Sequence, residues 1–126
     1  MGLAGAMALG PRIGKFVKGK PVAIPGHDLG MGVLGTMLLI FCWFSFNCGS
    51  TFAATDLRLA VVGVNTLLAG CAGGLAAMFF MWATTGKPDT SMSCNGILAG
   101  LVAIPAPCAY VPAWAAVLLG LVAGVL

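Results

Sequence analysis

Charge is what this sequence has least of. Only 7% of its 126 residues are Asp, Glu, Lys or Arg, three of them acidic and six basic. Soluble domains carry roughly one quarter, so a water-soluble globular domain is excluded. Histidine occurs once, as His27, and no C-x-x-C joins the cysteines at 42, 48, 71, 94 and 108. Neither a zinc site nor a disulfide scaffold fits that pattern. The cysteines are read as small apolar packing residues. Cys48 and Cys108 both fall toward one side, which leaves a bridge between them open. No metal, cofactor or catalytic constellation is expected, and the chain is not read as an enzyme.

What is abundant is apolar residue, 60% of the chain, with a mean hydropathy of +1.07. About 20 mostly apolar residues cross the hydrocarbon core as a helix. Met31–Ala54 and Leu57–Ala83 qualify, as does Ser93–Pro112, whose far end Pro105 and Pro107 break or bend. Met1–Leu9 and Ala113–Leu126 are apolar but short. The expected fold is all-α, a polytopic transmembrane bundle with spans at 31–54, 57–83 and 93–112 between half-spans at 1–9 and 113–126. Such a chain reads as a piece of a larger membrane protein. A signal peptide carries its positive charge before the apolar stretch. Here Arg12, Lys15, Lys18 and Lys20 follow it, so that reading is rejected.

Those four cations lie in Pro11–Asp28, and Lys87 lies in the Thr84–Thr90 turn. With three spans counted, both connections share a side, and their five positives against Arg58 alone make segments 11–28 and 84–90 cytoplasmic. Because the positives are confined to connections, a basic nucleic-acid surface is not expected. The partner is the lipid bilayer.

Three signals remain. Gly70-xxx-Gly74, Gly96-xxx-Gly100 and Gly120-xxx-Gly124 allow close approach of helix backbones, as bundles in lipid use. Asp28 and Asp56 stand where they can cap the helices that follow. The third is a stripe: at about 100° per residue, Trp43, Phe46, Asn47 and Ser50 share one helix face. Polar groups within a membrane helix turn inward, toward partner helices or a pathway. Aromatic faces beside a hydroxyl acceptor suit a small ammonium-type cation. Asn47, Asn65 and Asn95 are read as interhelical hydrogen-bonding groups, and Ser50 alternatively as a helix-end cap.

Phe41-Cys42-Trp43-Phe44-Ser45-Phe46-Asn47-Cys48-Gly49-Ser50 resembles the W-F-x-F-N-x-G-S core of the ammonium transporter family, the Amt, methylammonium permease and Rhesus superfamily. Other pieces agree in order: Leu9-Gly10-Pro11-Arg12 with the end of the family's fifth helix, and Pro25-Gly26-His27-Asp28-Leu29 with the entry to the sixth. Val64-Asn65-Thr66 is similar to the seventh, and Cys94-Asn95-Gly96 through Pro107-Cys108-Ala109-Tyr110 to the eighth and its exit.

The resemblance implies helices five to nine of an eleven-helix transporter. It implies ammonium or ammonia as substrate, with methylammonium as an analogue, and a homotrimer in the plasma membrane. It further implies a PII-type signal protein as a partner on the cytoplasmic face. By the same resemblance, Ser50 belongs to the outer ammonium site, Phe46 to a phenylalanine gate below it and Trp43 to the pore lining. The family's paired pore histidines fall outside this stretch; His27 matches a loop position. The second reading is an ammonium sensor, in which the same membrane domain drives a signalling output.

Overall fold

The computed structural model describes residues 2–126, which form five helices and a hairpin. Helix α1 is Gly2–Leu9, strands β1 and β2 are Phe16–Val17 and Lys20–Pro21, and α2 is Leu29–Gly49. Helix α3 is Leu57–Thr85, α4 is Thr90–Ala103 and α5 is Ala113–Val125. Of these, α2 and α3 are long and apolar enough to cross a membrane.

All three acidic residues do the same work. Asp28 Oδ1 accepts from Met31 N (3.0 Å), Asp56 Oδ1 from Arg58 N (3.1 Å), and Asp89 Oδ1 from Ser91 N (2.8 Å) and Met92 N (3.2 Å). Each cap satisfies amides that a helix start leaves free. The Asp28 and Asp56 caps are as the sequence places them. Asp89 adds one, and starts α4 three residues before Ser93. At the other end of α3, Gly86 takes φ 76° and returns its N–H to Trp82 O (3.0 Å), a left-handed stop that glycine allows.

Two helices end earlier than hydropathy predicts. The span drawn to Ala54 stops at Gly49, because Ser50 and Thr51 turn their hydroxyls back on the carbonyls of Phe46 (2.7 Å) and Cys48 (2.8 Å). The span drawn over 93–112 is helical only to Ala103, about 21 Å at 1.5 Å per residue. Pro105 and Pro107 offer no N–H to continue it. Residues 104–111 fold as turns instead, with Cys108 N donating to Ile104 O (3.0 Å) and Tyr110 N to Pro107 O (2.8 Å). The segment read as a plain loop also contains the hairpin. Lys18 and Gly19 both take positive φ (51° and 76°) between paired Val17 and Lys20, as a two-residue type I′ turn needs.

Helix α3 is the hub, packing against α2, α4 and α5. Asn47 meets Thr66, while Met37 shares a groove with Gly74 and Met78, so α2 and α3 run antiparallel. A Cβ on Gly100 or Gly120 would strike the Ala69 carbonyl oxygen, and one on Gly124 the Gly73 oxygen. The Gly96/Gly100 and Gly120/Gly124 pairs therefore bring α4 and α5 onto the α3 backbone, α4 antiparallel and α5 parallel to it. Gly70 and Gly74 act differently, making room for the side chains of Leu101 and Ile97. At one end of this contact Val62, Ala69, Ile104, Cys108 and Ala116 form a buried cluster, against which Cys48 packs. All five cysteines are free thiols. Among the described residues, α1 and the hairpin pack against no other helix.

Candidate functional site

The site lies on the last two turns of α2. Trp43 and Phe46 are one turn apart, their ring centroids 5.1 Å from each other and their planes inclined by 56°. That tilted geometry is a favourable aromatic pairing. Phe46 is 50% exposed, and Ser50 is exposed at the helix C-cap. Trp43 is half-buried, and its Nε1 is enclosed with no acceptor among the described residues.

Ser50 closes the helix end, as its alternative reading expects. Its hydroxyl donates to Phe46 O at 2.7 Å, and its backbone N–H meets the same oxygen at 3.0 Å. A hydroxyl carries one proton and two lone pairs. With the proton directed at Phe46 O, the oxygen facing solvent is an acceptor. That is the polarity a cationic N–H donor requires.

The predicted stripe does not stay whole. Asn47 leaves it, being only 5% exposed and turned against α3, where Nδ2 donates to Thr66 Oγ1 at 2.8 Å. Thr66 Oγ1 in turn donates to Val62 O at 2.6 Å. This relay fixes the rotation of α2 on α3. One face of the turn is held by Asn47, and Phe46 and Ser50 are left on the open side. Polar groups so buried require partners, and both have them.

Asn65 reaches past a neighbouring helix to the turns that follow α4. Its Nδ2 bridges Cys108 O (2.8 Å) and Val111 O (2.9 Å), pinning the turns after α4 to α3. Thr66, which the sequence marks only as part of the Val64-Asn65-Thr66 motif, completes the Asn47 contact. The signal for it was the adjacent Asn65-Thr66 pair on an otherwise apolar helix. Among the described residues Asn95 bonds to no other helix: its Nδ2 lies 4.0 Å from Met92 Sδ on its own helix. His27 precedes the α2 cap, in the connection outside the helices.

Fold and site together describe an α-helical membrane bundle presenting an aromatic and hydroxyl patch at a helix end. The model of the Ammonium Transporter Family matches residues 1–126, and the chain belongs to that family. It is 53% identical over 123 residues to ammonium transporter Amt2 of Archaeoglobus fulgidus, covering 97% of this chain and 26% of that relative. It is 39% identical over 137 residues to ammonium transporter 1 member 4 of Arabidopsis thaliana, covering 97% and 27%. Among solved structures it matches a sensor Amt protein with a TM-score of 0.92 at 36% identity, over 98% of this chain and 30% of that one. Mep2 of Candida albicans matches with a TM-score of 0.82 at 39% identity, over 98% and 27%. The chain thus spans between a quarter and a third of the length of these relatives.

Proposed function

We propose that the full-length protein conducts ammonium or ammonia across the plasma membrane, and that Ser50, Phe46 and Trp43 line its path. The observation that carries this reading is the Ser50 hydroxyl, whose proton is directed at Phe46 O. Its oxygen stands as an acceptor beside an exposed aromatic ring. Cation–π attraction and one hydrogen bond suit a small ammonium ion that is still partly hydrated.

Below such a site the physics changes. Burying an unpaired ion in an apolar pore costs far more than a few hydrogen bonds return, and every carboxylate of this chain is at a helix start. Moving ammonia and a proton separately past Phe46 avoids burying the ion. The family resemblance supplies the rest of the proposal: paired histidines elsewhere in the full-length protein as proton relay, three protomers each with its own pore, and a PII-type regulator on the cytoplasmic face. Cells lacking ammonium uptake should regain growth on low ammonium when the full-length protein is expressed. Membrane insertion without growth, for wild type as well as variants, would overturn the transport reading.

A second reading is favoured by the 0.92 TM-score to a sensor Amt protein. In it the same site binds ammonium and the output is signalling. It predicts methylammonium-competed binding without uptake in the same cells.

A further inference from the structure

The hairpin is the one strongly charged feature that the transport reading leaves without a role. Arg12, Lys18 and Lys20 are exposed and Lys15 is half-exposed. The only carboxylate of the connection, Asp28, is engaged with Met31 N at the start of α2. Lys15 Nζ reaches only a backbone carbonyl, Val22 O at 3.3 Å.

The register decides what else shares that surface. Val17 pairs with Lys20, Phe16 with Pro21, and Val22 N donates to Lys15 O at 2.8 Å. Side chains directly opposite and at i, i+2 lie on the same face of a ribbon. One face therefore carries Lys15, Val17, Lys20 and Val22, so that two cations alternate with two branched apolar side chains. Val17, Val22, Phe16 and Ile13 are all exposed, Ile13 completely. Chain connectivity limits where this face can go. The connection follows apolar α1, which ends at Leu9, and leads directly into α2, which begins at Leu29 and is long and apolar enough to cross a membrane.

We propose that residues 12–22 form a docking surface for anionic phospholipid headgroups, with Val17 and Val22 seated in the interface and the lysines on the phosphates. The proposal rests on α2 crossing the bilayer, and not on which substrate the protein carries. Lysine stems can lie along apolar surface while their ammonium groups reach the headgroups. Juxtamembrane basic clusters are attracted to anionic leaflets residue by residue. An acidic protein surface would match the charge alone. It would leave the apolar side chains that share the lysine face without a partner, which is why lipid is the occupant chosen.

The test is hydrogen–deuterium exchange of the full-length protein in nanodiscs of phosphatidylcholine, with and without phosphatidylglycerol. With the anionic lipid, amides of residues 15–22 should exchange roughly tenfold more slowly, and high salt should reverse the protection. Lys15→Gln, Lys18→Gln and Lys20→Gln combined should abolish the lipid dependence while exchange in α2 and α3 stays unchanged. Equal exchange in both lipids overturns the proposal, as does salt-insensitive protection in both, which would mean cover by another part of the protein. Protection arising only when an acidic cytoplasmic protein is added overturns it in favour of a protein partner.

Discussion

At Ser50 the cap and the proposed ligand group are one hydroxyl, because its proton satisfies a backbone carbonyl while the lone pairs stay outside. Ser50→Ala should weaken methylammonium competition by about 1 kcal/mol, roughly fivefold, since the aromatic faces remain. Ser50→Leu removes the acceptor and adds bulk, so its loss should be greater, with assembly intact by size-exclusion chromatography. Competition unchanged in both variants would remove Ser50 from the site. Glycines give a second residue-scale test. A Cβ at Gly100 would meet the Ala69 carbonyl oxygen, which is backbone and cannot step aside, whereas one at Gly32 meets nothing within 4 Å. Gly100→Val should destabilise the protein by about 3 kcal/mol or more, and Gly32→Ala should be neutral or slightly stabilising. Thermal unfolding in detergent reads the difference, and equal midpoints would mean that α4 does not sit on α3 as described.

The three helix starts carry the whole acidic content of the chain, so the elements depend on them singly. Asp89→Ala should lower stability by about 1 kcal/mol, within the usual range for a lost cap, and should loosen α4 first. Faster amide exchange at Ser91 and Met92, with α2 unaffected, is the expected outcome. Which elements exist was legible because long apolar runs and acidic caps are local signals: Leu57 begins α3 directly after Asp56, as read. Where elements end was less legible. Hydropathy stays high through Phe52, Ala53 and Ala54, so it cannot register that Ser50 and Thr51 have bonded back and that Phe52 has taken φ 53°. The hairpin is hard to see in the sequence for a related reason: a two-residue Lys18-Gly19 turn is a weak local signal in a segment dominated by its charge. Within the site, the i, i+3, i+4, i+7 spacing put Trp43, Phe46, Asn47 and Ser50 on a common face. Such spacing fixes an arc and not its two edges. Thr66, on another helix, decides that Asn47 lies at the buried edge.

For the whole molecule, the sharpest consequence of the packing is a direction for each of the helices α2 to α5. Helices α2 and α4 run one way and α3 and α5 the other, since Asn47 meets Thr66, Gly96 meets Ala77, and Gly120 and Gly124 meet Ala69 and Gly73. The hairpin and the Gly86–Asp89 turn then share one end of the bundle, and residues 51–56 lie at the other. Five of the six basic residues are at the first end, with Arg58 at the second. The geometry puts these connections on one side of the membrane, and because short basic connections are retained in the cytoplasm we propose that this side is the cytoplasmic one. Alkaline phosphatase is active only outside the bacterial cytoplasm, and green fluorescent protein exported by the general secretory route fluoresces only inside. Fusions to the full-length gene truncated after Ala54 should therefore give phosphatase activity and no fluorescence, and fusions after Lys87 the reverse. Reversal of both would invert the molecule, placing Ser50 and Phe46 at the cytoplasmic mouth, where they could not serve as the first contact for external ammonium. Phosphatase activity at both positions would mean that α3 does not cross the membrane, and the antiparallel pairing of α2 with α3 would then need another explanation than a transmembrane bundle.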